Sequence, residues 1–198
     1  LVNLYMPRRW RQIRRDQQIT EDRMRELLRR LSLLAEGAPD RDGAGAAQLE
    51  ELRRHLESAR VRALHHADNT FQADMRYFLH YVDMRLEQYR ILRRLYGTLG
   101  RLEGHSPPLP WQAASLAAYL REIAASLHES NNALDLLEQL EARRNTYRSS
   151  ALPATREEFE IRAILYEAAD EIHRLLLCKR DFALSLTPAQ VERFWACP

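Results

Sequence analysis

Glycine, cysteine, lysine and long apolar runs are all scarce in this chain, and each scarcity excludes something. Six glycines in 198 residues, beside abundant Leu, Ala, Arg, Glu and Gln, argue for an all-helical protein. Cys178 and Cys197 are the two cysteines. Both fall in expected helices, outside any CxxC or metal-type spacing, which fits a reducing, cytosolic setting. No segment reaches the ~18 to 20 apolar residues that span a bilayer. Lys179 is the single lysine among thirty basic residues; a high-GC genome accounts for this better than a functional preference for arginine forks does. Net charge is only +2, so the whole molecule is not an obvious nucleic-acid binder. The length fits one domain or a domain and a half, enough to bury a real core.

Catalytic and metal motifs are missing as well. There is no G-x-S-x-G, no Walker loop and no cysteine beside a histidine in a known context, so an enzyme is not expected. His65 and His66 are adjacent and point about 100° apart on a helix, so they cannot share one ion. A carboxylate lies three residues before a histidine at Asp170-Glu171-Ile172-His173, but a di-iron bundle uses Glu-x-x-His twice. Ala125 precedes His128 and Tyr77 precedes His80 at the other candidate positions. No metal and no cofactor are expected.

What is present is helical periodicity. A first helix is expected over 8–36, with Ile13, Met24, Leu27, Leu28, Leu31 and Leu34 near one face. Gly37 to Gly45 (GAPDRDGAG) is the clearest loop. From about Ala46 a heptad seam runs Leu49, Leu52, Leu56, Ala59, Ala63. A second seam runs Phe71, Met75, Phe78, Val82, Tyr89, Leu92, Tyr96, Leu99, and its phase does not continue the first. Either a stutter joins the two in one helix of roughly 85 Å, or Asp68-Asn69-Thr70 breaks it; a long bent helix is slightly preferred. Gly104 to Pro110 is a firm breaker. Shorter helices follow over 111–128, with Leu116, Leu120, Ile123 and Leu127 inward, and to about Ser149 from an Asn131 or Asn132 cap, with Leu134, Leu137, Leu140 and Tyr147 apolar. Next comes a helix from Arg156 with Leu165, Ala168, Ile172, Leu175, Leu176 and Phe182 on its core face. Thr155 and Glu158 have capping-box spacing at its start. Thr187-Pro188-Ala189-Gln190 opens a short terminal helix.

The amino-terminal edge is distinct. Leu1 to Pro7 is mostly apolar, and Arg8, Arg9, Arg11, Arg14 and Arg15 follow with no acid among them. That is the pattern of the cytoplasmic exit of a membrane span, with Tyr5 and Trp10 at headgroup depth. It is equally that of a solvated, arginine-rich helix. A nucleic-acid patch is disfavoured because acids interleave from Asp16 onward. A start at Leu1 rather than methionine leads us to expect a piece of a longer protein.

Charge is also written into the apolar seams. Arg85 falls where an apolar residue would continue Phe78, Val82 and Tyr89. Arg162 sits one turn after Glu158, beside Phe159, Ala163 and Tyr166. A buried arginine must be paired, so an interhelical Arg–Glu pair fixing register is one reading. The other is a pocket in which Arg85 or Arg162, with Tyr81, Tyr89 or Tyr166, holds an aromatic carboxylate.

Three blocks carry a family resemblance: YFLHYVDMRLEQYRIL from Tyr77, LHESNNALDLLEQLEARR from Leu127, and LPATREEFEIRAILYEAADEIHRLLLCKRDF from Leu152. In this order they resemble the carboxy-terminal domain of the bacterial aromatic acid exporter family, over roughly Asn69 to Phe182. The matching positions are Tyr77, Tyr81, Met84, Arg85 and Gln88, then His128 and Asn131, then Leu152, Pro153, Thr155 to Phe159, Arg162 and Ala163. Little resemblance is expected before about Gly45 or after Leu186. The resemblance implies a non-enzymatic domain on the cytoplasmic face of the inner membrane, joined to a membrane-spanning half of the same polypeptide. Its role would be assembly, gating or substrate sensing. Residues 1–7 would end a membrane segment or linker, 8–186 would form the bundle and 187–198 a terminal helix. Partners would be a second copy of the chain, an anionic lipid surface at Tyr5, Arg8, Arg9, Trp10, Arg11, Arg14 and Arg15, and an aromatic carboxylate at Arg85, Arg162, Tyr81, Tyr89 and Tyr166. The fold expected is an elongated, all-α antiparallel bundle of five to seven helices. The alternative is a free-standing cytosolic interaction module.

Overall fold

The three-and-four spacing of apolar residues resolves into seven α-helices among the described residues: α1 (Val2–Ala35), α2 (Ala44–Ala67), α3 (Gln72–Gly100), α4 (Trp111–Ala125), α5 (Leu134–Arg148), α6 (Arg156–Ser185) and α7 (Pro188–Phe194). The computed structural model describes residues 2–67, 72–105 and 108–195, with side chains from 11–64, 76–105 and 108–195. Among these there is no strand, and no helix is long and apolar enough to cross a membrane.

Cross-helix bonds give the directions. Arg30 reaches Gln48 and His55 reaches the Asp16 carbonyl, so α1 and α2 run antiparallel. Arg60 pairs with Asp83 at 2.7 Å across α2 and α3. Thr98 bonds Glu167 and Gln88 bonds the Leu175 carbonyl, which sets α6 antiparallel to α3. Arg121 reaches Glu36 and Arg25 reaches the Leu127 carbonyl, placing α4 antiparallel to α1. The amino-terminal end of α1 therefore shares one end of the bundle with the start of α3, the α4–α5 loop, the last turns of α6, and α7. The opposite end holds the α1–α2 loop, the starts of α4 and α6 and the end of α5.

The slight preference for one long helix from Ala46 to Leu102 is corrected: α2 and α3 fold back on one another. The two seams differ in phase because they belong to two helices, each burying its stripe against the other. The Asp68-Asn69-Thr70 break, Phe71 and the side chain of Met75 lie outside the described residues. Leu49, Leu52, Leu56, Ala59, Ala63, Phe78, Val82, Tyr89, Leu92 and Leu99 are all buried, as are Met24, Leu27, Leu28, Leu31 and Leu34 of α1. Each fully buried Leu contributes about 1.5–3 kcal/mol of transfer free energy. Ile13, Leu127 and Tyr96 are only partly covered.

Caps and turns follow local chemistry. Gly37, at a φ of 81°, ends α1, where its amide and that of Ala38 bond the Leu34 and Leu33 carbonyls. Asp40 clamps the start of α2. It accepts from Tyr96 at 2.6 Å, from the Gly45 amide at 3.1 Å and from Arg30 at 3.1 Å. Burial raises its pKa, but these donors outweigh burial and hold the carboxyl below the usual carboxylate range. Thr155 caps α6 by accepting from the Glu158 amide at 3.0 Å. Glu158 reaches back to the Ala154 amide rather than to Thr155, one residue beyond the expected box. Thr187 and Gln190 form the full capping box of α7.

One apolar assignment needs revising. Leu134 is 46% exposed, and the inward stripe of α5 is Leu136, Leu140 and Tyr147. Asn131 and Asn132 do bond the first free amides, Ala133 and Leu134. Ala133 is the cap residue, in the left-handed region at a φ of 63°. The stripe therefore starts two residues after Leu134, on the other side of the helix.

Candidate functional site

The five residues expected to bind a ligand occupy two separate places. Arg85, Tyr81 and Tyr89 lie on α3 in the interior, whereas Arg162 and Tyr166 lie on α6 at the opposite end.

Arg85 is 1% exposed. Its guanidinium donates to Gln88 at 2.8 Å and to Glu21 of α1 at 3.3 Å, and it lies 5.0 Å from the Tyr81 ring centre. The Tyr81 hydroxyl also donates to Glu21, at 3.4 Å. Arg25 shares the same carboxylate, at 3.2 Å. Burial pushes the Tyr81 phenol up, against the pull of Arg85. This is the interhelical pair, and it fixes α3 against α1. Gln88 extends it to α6 by donating to the Leu175 carbonyl at 3.1 Å. Beside Arg85 there is a pit of about 30 Å³, lined also by Lys179, Asn131 and Leu136. A space of that size takes a water or two but no aromatic ring. Tyr89 is buried in the main core.

Toward the amino-terminal end of α1 the polar interior continues through Glu129, in the α4–α5 loop. Its carboxylate accepts from Arg14 at 2.5 Å, Gln17 at 2.9 Å and Tyr77 at 2.6 Å. Its carbonyl accepts from the Lys179 ammonium at 2.5 Å. Tyr77 stacks on Phe194 of α7, with ring centres 4.0 Å apart, and accepts from the Trp195 indole at 3.1 Å. Lys179 is 5% exposed, between the Phe182 and Trp195 rings at 5.1 Å from each. Burial, then the Arg85 charge, lower its pKa to about 7, against the pull of Glu21 and Glu129. Glu129 and Lys179 were not singled out as site residues from the sequence. The available signal was Lys179 itself, the one lysine where arginine is the rule.

Arg14 thus sits at this junction, and Arg11 and Arg15 are exposed on α1. The side chains of Tyr5, Arg8, Arg9 and Trp10 lie outside the described residues.

At the far end, Arg162 bonds Glu158 at 2.5 Å and the Ala151 carbonyl at 2.6 Å, while its Nε has no partner. It lines a surface pocket of about 260 Å³ with Tyr147, Leu152, Phe159 and Tyr166. Phe159 is 61% exposed and Leu152 is 90% exposed. This pocket is open and aromatic, and two arginines, Arg148 and Arg162, line it.

The metal-type spacing is taken up otherwise. Asp170 pairs with Arg144, and Glu171 with Arg94 and Arg174. Among the described residues no three His, Cys, Asp or Glu side chains could hold an ion together. Cys178 is half-buried and its thiol is pushed up to about 11, chiefly by burial, so it is a poor nucleophile at neutral pH. Cys197 lies outside the described residues.

Comparison with known proteins places this geometry. A Bacillus subtilis (strain 168) protein, named uncharacterized protein YqjA, is 28% identical over 183 residues, covering 92% of this chain and 55% of that protein. The chain therefore spans about half the length of the curated relative it matches. The crystal structure of a putative membrane protein from Clostridium difficile 630 superposes with a TM-score of 0.72 at 28% identity, over 88% of this chain and 99% of that one. The family model described as the putative aromatic acid exporter C-terminal domain matches residues 11–180. The likeness thus takes in most of α1, which extends the Asn69 to Phe182 span legible from the three blocks. This chain belongs to that family of aromatic acid exporter C-terminal domains.

Proposed function

We propose that the chain is the cytoplasmic, non-enzymatic domain of an inner-membrane aromatic acid exporter, and that it senses the transported acid. Family membership carries the exporter half of this reading. The relative titled a putative membrane protein and the half-length coverage of YqjA support a membrane-spanning remainder. The arginine-dense start of α1 supports the orientation, since basic residues favour the cytoplasmic flank of a span. Each contributes on the order of 1 kcal/mol near anionic lipid.

The pocket at Arg162 is the observation that favours sensing over a purely structural role. Its Arg162 cation and its Tyr147, Phe159 and Tyr166 rings offer charge and stacking to an aromatic carboxylate. Of the two arginines written into the seams, Arg162 is the one such a ligand can reach, because Arg85 is enclosed.

Two measurements test the reading. Cells expressing the full-length gene product with a carboxy-terminal tag are fractionated. Recovery in the membrane pellet, with the tag cleaved only from the cytosolic side, is expected; a soluble product would sink the exporter reading. Titration of the chain with millimolar benzoate should move the amide resonances around Arg162 and Tyr166, and Arg162→Ala should abolish the response. Benzoate, salicylate and cinnamate all leaving those resonances in place would remove sensing at this pocket while leaving the exporter assignment intact.

A further inference from the structure

Part of the aromatic cover over Lys179 comes from a helix that is lightly attached. Phe194 is the buried residue of α7, while Pro188, Ala189, Val191, Glu192 and Arg193 are exposed. The helix is held at its carboxy-terminal end, where Phe194 stacks on Tyr77 and meets Phe78 edge-on at 5.6 Å. There the Trp195 indole donates to the Tyr77 hydroxyl. The Thr187–Gln190 capping box makes α7 a preformed turn. Leu186, extended between α6 and that cap, is the joint about which it can move. The family match ends at residue 180, before this helix begins. Beneath it Lys179 has one oxygen acceptor among the described residues, the Glu129 carbonyl, and otherwise meets the Phe182 and Trp195 rings. The rings attract an ammonium, yet removal from water outweighs them, since burial leads the causes that lower its pKa to about 7. The other charged or titratable groups around it are Arg85 of α3, Glu21 of α1, Glu129 of the α4–α5 loop and Cys178 of α6. Arg14 of α1 and Tyr77 of α3 are bonded to Glu129. His128 of the loop is exposed and bonds Ser130, and α7 adds Glu192 and Arg193, both on the surface. Burial raises the Tyr77 phenol and the Cys178 thiol above their ordinary values, so neither gains charge between pH 7 and 9.

We propose that α7 is a proton-sensitive strap: Phe194 and Trp195 close it over Lys179, and protonation of that lysine favours its release. The covered lysine gives up its proton at a lower pH than a lysine in water, so uncovering it takes up a proton wherever the covered form is neutral. Between pH 9 and 7 each unit of acidification therefore favours the open strap by up to about tenfold. Below pH 7 both forms are charged, and the balance is flat. Release uncovers Tyr77, Phe182 and Lys179 at the end of the bundle that holds the start of α1. The strap stands apart from the Arg162 pocket and does not depend on the exporter reading.

Hydrogen exchange of the α7 amides on the 198-residue chain, each corrected for its intrinsic rate, tests the strap from pH 6 to 9. Protection is expected to be flat up to pH 7 and then to rise by up to about tenfold per unit. In Lys179→Met it should be independent of pH. A flat wild-type profile overturns the proposal. So does a slope that survives in Lys179→Met, which would assign the proton to another group such as His128. Equal protection of α7 and the core helices overturns it as well, because α7 would then leave only with the whole fold. Lys179 is the chain's one lysine, so its 13Cε resonance reports its protonation directly even if Lys179→Met does not fold. The midpoint, at about 7 in the wild type, should move toward ~10.4 in Trp195→Ala. An unmoved midpoint would show that α7 does not cover the ammonium, and overturns the strap.

Discussion

The two ends of the bundle solve the same problem, how to hold helix termini together, in opposite ways. At the amino-terminal end of α1 the fixing contacts are between residues far apart in sequence: Glu21 with Arg85, Glu129 with Arg14 and Tyr77, Lys179 with the Glu129 carbonyl. At the far end local turns and caps, the Gly37 turn and the Thr155 cap, act beside more exposed cross-helix contacts: the Asp40 clamp with Tyr96, Thr98 with Glu167 and Arg121 with Glu36. Buried charge at the first end makes it intolerant of single changes and sensitive to pH. Hydrogen-bonded turns at the second make it tolerant, and leave the pocket at Arg162 open.

The largest effect should come from breaking the buried pair. Arg85→Met leaves Glu21 without its interior partner and is expected to cost about 3–5 kcal/mol in urea unfolding. Adding Glu21→Leu should recover much of that loss; a double variant as unstable as the single one would show that Arg85 acts through packing alone.

Next comes the pH response of the same end. Lys179 has a folded pKa near 7, below the ordinary lysine value, so between pH 7 and 9 the unfolded chain binds the proton that the folded chain has released. Stability then rises with pH, by up to about 1.4 kcal/mol per unit, and this term is flat below pH 7, where both states carry the proton. The rise should be absent in Lys179→Met; a flat wild-type profile would place the ammonium in a more solvated setting.

Two changes at the other end should be milder. A Cβ on Gly45 would lie 2.6 Å from the Tyr96 ring and 3.1 Å from Asp40, so Gly45→Ala should cost about 1–3 kcal/mol. Thr155→Ala removes the acceptor for the Glu158 amide and should cost about 1 kcal/mol. Thermal melting of these two beside Arg85→Met orders the ends. The comparison fails if either loop variant is the more damaging.

Much of the fold was readable as sequence because helices write their buried face at a fixed period. Every residue expected on the α6 core face is buried, and both halves of the Ala46 to Leu102 seam point inward wherever their side chains are described. What the period could not give was the reversal between α2 and α3, since a phase shift reads the same whether a helix stutters or turns back. Leu134 misled because its spacing to Leu137 and Leu140 fits one stripe as well as Leu136, Leu140 and Tyr147 fit another, and packing buries the second. For the site, the arginines at 85 and 162 were visible as charges breaking an apolar pattern. Their separation to opposite ends was not, because both sit on α-helical positions with tyrosines nearby in sequence.

Sequence alone determined most of the helices, caps and buried faces, the α2–α3 reversal and the α5 stripe excepted, because hydrogen-bonding side chains and apolar periodicity act over three or four residues. It also carried the family, whose model matches from Arg11 to Arg180. Tertiary structure alone decided which charges are buried together. Glu21, Arg85, Glu129 and Lys179 come from α1, α3, a loop and α6, and their energies depend on distance and desolvation, which no linear spacing encodes.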